Sequence, residues 1–182
     1  TPRGDAVVCH PHPQYGGSMG NPVVVGVARA LAQAGLAALR FDFGGVGGSE
    51  GAYGQGREEQ CDVGAAVTAL AGHLPDGADV VIVGYSFGAW VGMLAAQGLP
   101  CVSRVVAIGP PLALFDFGAT PGLRQPIDVV VGDRDQYCPT VALERFVAAH
   151  GARVTMLPGV DHFLGGVESQ VAAAVVRCLE QT

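Results

Sequence analysis

The fold is decided by one stretch of the chain, Asp79-Val80-Val81-Ile82-Val83-Gly84-Tyr85-Ser86-Phe87-Gly88-Ala89-Trp90. Its first five residues, which contain the apolar run Val80–Val83, predict a buried strand, and the mostly small, apolar residues after Gly88 predict a helix. Gly84 and Gly88 stand where the strand and the helix would pass too close for larger side chains. The stretch therefore predicts a strand, a tight turn with Ser86 at its apex, and a helix.

The spacing Gly-x-Ser-x-Gly at this junction is typical of a nucleophile elbow, whose strained turn lifts a serine hydroxyl clear of the sheet. The alternative is an ordinary serine in a tight turn, because the same pattern occurs by chance in loops rich in glycine and serine. The strand before the pattern and the helix after it favour the elbow. Ser86 is therefore the candidate nucleophile.

Strand-like and helix-like segments alternate along the whole chain. Strands are predicted over residues 6–9, 36–41, 80–83, 102–108, 127–131 and 153–157. Helices are predicted over residues 22–34, 58–74, 89–97, 140–150 and 166–179. Six strands separated by helices, without hairpin signals, predict an α/β fold with a six-stranded parallel sheet and helices on both faces. We expect residues 1–182 to form one such domain, with its chemistry at the carboxyl ends of the strands.

The composition argues against several classes of function. The net charge is −6 and no basic cluster occurs, so neither nucleic acid nor an anionic membrane is an expected partner. All ten basic residues are arginine, which excludes a phosphate-binding loop that ends in lysine and a Schiff base to pyridoxal phosphate. No Gly-x-Gly-x-x-Gly pattern supports a dinucleotide site, and we expect no cofactor.

No apolar run reaches the roughly 18 residues of a membrane helix, and residues 1–5 show no signal-peptide core.

The cysteines give no sign of a disulfide framework or a zinc site. The chain has five of them, an odd number, scattered without Cys-x-x-Cys or paired Cys/His spacing. We expect most of them to be small buried residues in a protein of the reducing cytoplasm. They are Cys9, Cys61, Cys101, Cys138 and Cys178.

Two later strand ends supply the partners that a serine nucleophile needs. A base must take the hydroxyl proton, and an acid must orient that base and stabilise its charged form. Asp133 and Asp135 follow the fifth predicted strand, and we take Asp135 as the acid and Asp133 as the runner-up. Such aspartates can instead cap the next helix or pair with Arg134. His162 follows the sixth strand; it could be a lone surface histidine, but the order Ser…Asp…His favours it as the base.

A tetrahedral oxyanion needs two fixed N–H donors. The backbone of Phe87, directly after the serine, is one candidate. The second donor is expected from the loop after the first strand, residues 10–17, where two prolines lack an N–H and leave His12 or Gln14. Together, His10 and His12 could instead indicate a metal site, but no third ligand stands at a suitable spacing, so we expect no metal.

Several motifs together resemble one known family. The chain resembles a small bacterial member of the α/β-hydrolase superfamily, close to its dienelactone-hydrolase-like branch, and the resemblance extends over essentially the whole chain. The motifs that carry it are His10-Pro11-His12-Pro13, Gly16-Gly17-Ser18-Met19, Arg40-Phe41-Asp42, Gly45-Val46-Gly47-Gly48-Ser49, Gly84-Tyr85-Ser86-Phe87-Gly88-Ala89 and Asp161-His162-Phe163. The resemblance implies a minimal α/β-hydrolase fold without a large lid.

The same resemblance implies a catalytic triad of Ser86, Asp135 and His162. The chain departs from the family in two ways. Glycine occupies position 44, where such proteins often carry arginine, and the first two strands of the usual sheet are absent. Neither departure affects the triad.

These observations lead us to expect a serine hydrolase that cleaves small-molecule carboxylic esters. Residues 110–125 are the only candidate cover for the cleft, and their apolar side chains could equally belong to the core. A short cover and a small domain favour short-chain acyl esters. We expect Tyr15, Phe115 and Phe117 to contact the substrate. Further candidates for the pocket are Met19, Tyr53 and Tyr137.

Three other interpretations stay open at this point. A thioesterase, an amidase or a small peptidase would use the same triad. A noncatalytic binding module could share the fold, because fold does not fix function. A structural or interaction protein is the third, although the chain has neither repeats nor coiled-coil heptads.

Overall fold

A parallel sheet of six strands runs through the chain, in the order β2-β1-β3-β4-β5-β6. The computed structural model describes residues 4–119 and 123–180. The remaining residues include part of the start of the chain (1–3) and part of the candidate cover (120–122), so those parts of the sequence analysis lie outside the described residues. The predicted six-stranded parallel sheet is confirmed.

The elements follow one another in the predicted alternation. The strands are β1 (Asp5–Cys9), β2 (Ala38–Arg40), β3 (Val80–Tyr85), β4 (Val102–Ile108), β5 (Ile127–Gly132) and β6 (Arg153–Leu157). The helices are α1 (Pro22–Gln33), α2 (Glu58–Ala71), α3 (Phe87–Ala96), α4 (Thr140–His150) and α5 (Glu168–Glu180). Short 3-10 turns occupy Pro13–Tyr15 and Phe117–Ala119.

Each central strand is apolar on both sides because helices cover both faces of the sheet. Successive side chains of a strand point to opposite faces. In β3, Ile82 packs under α2, α3 and α4, whereas Val81 and Val83 pack under α1 and α5. All six residues of β3 are buried. The predicted helices on both faces are therefore confirmed.

Three elements are shorter than predicted, each for a local reason. Strand β2 covers only residues 38–40 of the predicted 36–41, because Leu36 donates its N–H back to Leu31 at the end of α1. Helix α2 ends at residue 71 rather than 74, before Pro75, which disfavours a helical conformation in the residue that precedes it. Helix α5 begins two residues late, after Gly166 at φ +77°.

The five cysteines divide into two groups, and all of them are free thiols. Cys61 and Cys101 are exposed. Burial raises the pKa of Cys138 to about 12 and that of Cys178 to about 11, and it raises the pKa of Cys9 further still. The expectation that most cysteines are buried holds for these three.

Among the described residues, no helix is both long enough and apolar enough to cross a membrane.

We predict that only two of the five thiols react in the native protein. Because the thiolate is the reactive species, the buried thiols with raised pKa values should resist alkylation. Iodoacetamide at pH 8, followed by peptide mapping, should label Cys61 and Cys101 quickly, and the other three only after denaturation. Rapid labelling of Cys138 in folded protein would contradict the packing of the loop that leads into α4.

Candidate active site

The turn between β3 and α3 holds Ser86 in a strained backbone conformation. Its φ is +55° and its ψ is −116°, a region that residues other than glycine rarely adopt. The neighbouring chain leaves no room for larger residues on either side. A Cβ atom on Gly84 would lie 2.5 Å from the backbone nitrogen of Ala89, and one on Gly88 would lie 2.6 Å from the carbonyl oxygen of His10. The predicted close approach of strand and helix is therefore present.

Ser86, His162 and Asp135 form a continuous hydrogen-bonded chain, although they come from three different strand ends. The Ser86 hydroxyl lies 2.9 Å from Nε2 of His162, and Nδ1 of His162 lies 2.9 Å from Oδ2 of Asp135. Each of the three residues is at most 9% exposed. Because Nδ1 faces a carboxylate, it carries the ring proton, and Nε2 is left to accept the serine proton.

The structure distinguishes between the two candidate aspartates. Oδ1 of Asp135 also accepts the backbone N–H groups of Tyr137 and Cys138, at 2.9 and 3.1 Å. Asp133 is exposed and accepts the N–H of Gly159 at 2.6 Å, away from the histidine. The geometry therefore places Asp135, and not the runner-up Asp133, behind His162.

Two further residues lie against the His162–Asp135 pair, one as a hydrogen-bond donor and one as a glycine with little space beside it. The hydroxyl of Tyr85, the last residue of β3, donates to the backbone oxygen of His162 at 3.0 Å. Burial raises the pKa of Tyr85, so this hydroxyl keeps its proton. Gly109 has φ +49°, and a Cβ there would lie 3.3 Å from Oδ2 of Asp135. The sequence analysis assigned no role to either residue, although the second position of Gly-Tyr-Ser-Phe-Gly was a possible signal.

The candidate oxyanion donors also come together. Phe87 begins α3, and its ring packs on that of His12 with centroids 4.8 Å apart. The N–H of Gln14 already donates to Nδ1 of His12 at 3.2 Å. Within residues 4–119 and 123–180, the N–H of His12 has no acceptor. The geometry therefore favours His12 over Gln14 as the second donor.

His10, the first histidine of His10-Pro11-His12-Pro13, has a different role from that of His12. It is fully buried, and its Nε2 accepts the N–H of Phe43 at 3.0 Å, which joins the end of β1 to the loop after β2. Burial lowers the pKa of His10, as suits a ring nitrogen that must accept a hydrogen bond. In the described part of the chain, no group of three His, Cys, Asp or Glu side chains could hold a metal ion.

A cavity of about 480 Å³ opens directly over Ser86 and His162. Tyr15 and Phe115 line it, as predicted, and so does Tyr137. Exposed Leu114 and Phe163 complete its rim. No Asp, Glu, Lys or Arg side chain is among the described residues that line it.

Three residues proposed for this pocket lie elsewhere. Phe117 is only 4% exposed and packs against Phe146 of α4, with ring centroids 5.8 Å apart, so it belongs to the core. Met19 and Tyr53 do not line the cavity either. The candidate cover is thus divided, since it contributes Leu114 and Phe115 to the pocket and Phe117 to the core.

A second, more open cavity of about 460 Å³ lies between β2 and α2, and Gly44 is among the residues that line it. The N–H of Gly44 donates to Oδ2 of Asp62 at 2.9 Å, which ties the glycine-rich loop to α2. The residues that line this cavity include none of the three that form the hydrogen-bonded chain.

Similar proteins are found both among known sequences and among solved structures. The chain matches no protein-family model. Over 133 residues, or 71% of this chain, it is 38% identical to an uncharacterised protein of Rickettsia prowazekii, of whose length the match spans 56%. An α/β serine hydrolase homologue from Coxiella burnetii is 31% identical, with a TM-score of 0.88 over 97% of this chain and 85% of that one. A lid-less α/β serine hydrolase from Xanthomonas campestris is 30% identical, with a TM-score of 0.82 over 100% of this chain and 85% of that one.

We predict that Gly88→Ala destabilises the folded protein, whereas the matched substitution Gly64→Ala does not. The new methyl group would meet backbone oxygens at the end of β1, which cannot move aside cheaply, so the free energy of unfolding should fall by about 1–3 kcal/mol. Gly64→Ala in α2 meets only a leucine methyl at 4.0 Å, and it should stabilise the protein by about 0.5–1 kcal/mol. Urea titrations of both variants make the comparison. Equal effects would contradict the close approach at Gly88.

A second prediction separates the two aspartates by the reactivity of Ser86. Asp135→Asn removes the charge that orients His162, and the rate of Ser86 phosphonylation by a fluorophosphonate should fall by about 10³–10⁴-fold. Asp133→Asn should change that rate by less than about threefold, because Asp133 lies outside the hydrogen-bonded chain. The measurement is intact mass against time. A large loss in Asp133→Asn with little loss in Asp135→Asn would reverse the assignment.

Proposed function

Because the chain belongs to the α/β serine hydrolases, we propose that it cleaves carboxylic esters through an acyl-enzyme on Ser86. The observation that carries this proposal is the 2.9 Å contact between Oγ of Ser86 and Nε2 of His162 at the floor of an accessible cavity. A serine hydroxyl becomes an effective nucleophile when a base stands within hydrogen-bonding distance and an acid orients that base. Asp135 occupies the position of that acid.

The reaction begins with attack of Oγ of Ser86 on the ester carbonyl while Nε2 of His162 takes the hydroxyl proton. The carbonyl oxygen becomes an oxyanion that accepts hydrogen bonds from the backbone N–H groups of Phe87 and His12. The tetrahedral intermediate collapses, the C–O bond to the alcohol breaks, and His162 gives its proton to the departing oxygen. Asp135 keeps the imidazole in the required tautomer and stabilises its charged form throughout.

Water then completes the cycle. Nε2 of His162, neutral again, takes a proton from a water molecule as that water attacks the acyl carbonyl. A second tetrahedral intermediate forms in the same oxyanion site, and its collapse returns the proton to Ser86 and releases the carboxylic acid. Both steps require a neutral imidazole at the start, so the rate should rise with pH as an imidazole loses its proton.

The lining of the cavity supports a small, neutral substrate. Aromatic side chains dominate it, and its described residues offer no charged group that would hold an anion or a cation. A volume of about 480 Å³ accommodates a short acyl group and a modest alcohol. We propose short-chain acyl esters as the preferred class.

Neither nucleic acid nor a membrane is proposed as a partner, in keeping with the net charge of −6. The reducing cytoplasm is proposed as the compartment, in keeping with five unpaired thiols.

The proposed preference for short acyl chains can be tested by measuring kcat/KM for p-nitrophenyl esters with acyl chains of two to about twelve carbons. We expect kcat/KM to be highest for the shortest chains, because the cavity limits the acyl length. Ser86→Ala should lower kcat by at least about 10⁴-fold, whereas Ser169→Ala, at an exposed position in α5, should leave it unchanged. The matched thioesters and anilides are measured in parallel.

The outcomes separate the competing functions. Faster turnover of thioesters than of oxygen esters, relative to their intrinsic reactivities, would replace the ester proposal by a thioesterase. Cleavage of anilides alone would indicate an amidase or peptidase. A folded protein whose Ser86 neither turns over any acyl substrate nor reacts with a fluorophosphonate would overturn the enzymatic proposal and favour a binding module.

A further inference from the structure

We propose that the imidazole of His12 is a positioning residue for this reaction, which holds the second oxyanion N–H in place as a neutral ring with its proton on Nε2. The inference rests on the proposed function, because it assigns His12 a role within the same site. The motif His-Pro-His-Pro contains two histidines, and the catalytic cycle uses neither imidazole.

The tautomer follows from the two partners of the ring. The N–H of Gln14 is a fixed donor 3.2 Å from Nδ1, so Nδ1 must be an unprotonated acceptor. A neutral imidazole then carries its proton on Nε2, which lies 3.2 Å from the hydroxyl oxygen of Tyr53. The ring therefore accepts from its own loop and donates to a residue 41 positions further along the chain.

The backbone of His12 is fixed by the same loop. Its carbonyl oxygen accepts the N–H groups of Tyr15 and Gly17, at 3.1 and 3.0 Å. Both side-chain nitrogens and the carbonyl are thus engaged, and the N–H alone has no acceptor in the described part of the chain. If the ring rotated away from Tyr53, its Nδ1 would lose the hydrogen bond from Gln14, and the turn that orients the N–H of His12 would no longer be held.

Tyr53 directly precedes a loop that a buried carboxylate holds in place. Glu59 of α2 is 1% exposed, and its two oxygens accept the N–H groups of Gly54 at 2.8 Å and Gly56 at 2.7 Å. These two bonds close the loop directly after Tyr53. A rigid support therefore runs from α2 through Tyr53 to the ring of His12.

The surroundings of the ring favour its neutral form. Its aromatic neighbours Phe87, Phe115, Tyr15 and Tyr53 carry no charge at neutral pH. The titratable groups that face it are Glu59 of α2, Tyr53, Tyr15 of its own loop and His162 across the cavity. Burial lowers the pKa of His12, and the nearby charge of Glu59 offsets part of that effect.

Protonation of His12 would place a second N–H against the N–H of Gln14 and break the turn. Because the pKa of His12 lies below its ordinary value of 6.5, the neutral network is present above that lowered pKa and is lost as the pH falls through it. Acid should then reduce the rate through His12, in addition to the loss expected from any catalytic base. A single catalytic base would give only one such loss.

The test compares His12→Ala, His12→Asn and Tyr53→Phe with wild-type protein, using p-nitrophenyl acetate and the rate of Ser86 phosphonylation. Asparagine at position 12 can still accept the N–H of Gln14 but does not reach Tyr53. We expect kcat to fall by about 100-fold in His12→Ala and about 10-fold in His12→Asn and Tyr53→Phe, with KM within about twofold. The exposed His73→Asn is the matched control and should match wild type.

Three readouts distinguish a positioning role of His12 from a general effect on stability. In the double variant His12→Asn/Tyr53→Phe, the loss should equal that of His12→Asn alone, because the two side chains act through one contact. At acid pH, kcat/KM of wild-type protein should fall by an additional factor of about 10–100 beyond the loss from the catalytic base alone, and His12→Asn should lack this additional fall. Imidazole ¹⁵N shifts, assigned through His12→Asn, should show an unprotonated Nδ1 on His12 at neutral pH.

Several outcomes would overturn the inference while leaving the proposed function intact. They are a Tyr53→Phe variant with wild-type rates, a His12 ring protonated on Nδ1, or an acid loss in wild-type protein no larger than that in His12→Asn. Should His12→Ala fail to fold, Tyr53→Phe and the ¹⁵N shifts decide the matter. Wild-type protein that is phosphonylated at Ser86 but cleaves no ester would refute the ester proposal alone, since the phosphonylation rates of the variants still test His12.

Discussion

The site depends on the close approach of β3, α3 and the end of β1 around Ser86. A serine at φ +55° and ψ −116° persists only where its surroundings determine the backbone more strongly than the local strain opposes it. The surroundings do so because Gly84 and Gly88 let three backbone segments come into contact. The same contact that strains the turn also brings Phe87 beside the loop that carries His12. The positions of the candidate nucleophile and of both candidate oxyanion donors thus follow from one packing constraint.

The buried carboxylate of Asp135 places a second constraint on the site. An ionised group removed from water is costly unless hydrogen bonds compensate for it. Two backbone N–H groups and the ring of His162 supply that compensation. The described residues leave no buried side-chain nitrogen or oxygen without a partner. The arrangement that orients the imidazole is therefore also the one that makes the buried charge tolerable.

Much of this could be predicted from the sequence, and the exceptions have physical reasons. The apolar runs and the glycine spacing around Ser86 were sufficient for the sheet and the elbow, because they reflect local packing. Asp135 was the first choice and Asp133 the runner-up, but the sequence alone could not decide between them, since the choice depends on which carboxylate the backbone turns toward the histidine. Phe115 and Phe117 have the same chemistry and are two residues apart, yet one reaches the cavity and the other the core. Only the path of the backbone through that segment decides between them.

The open cavity gives a physical reason for the support that we propose for the candidate oxyanion loop, residues 10–17. In a site covered by a lid, closure can press the loops into the reactive geometry when substrate binds. This chain has the lid-less fold, and Tyr15 on the rim of its cavity is 86% exposed. The donors must therefore stand in position before any substrate arrives, which is the condition for electrostatic stabilisation without reorganisation. In our proposal, the buried Glu59 holds the loop after Tyr53, and Tyr53 holds the ring of His12, with bonds that do not depend on the substrate.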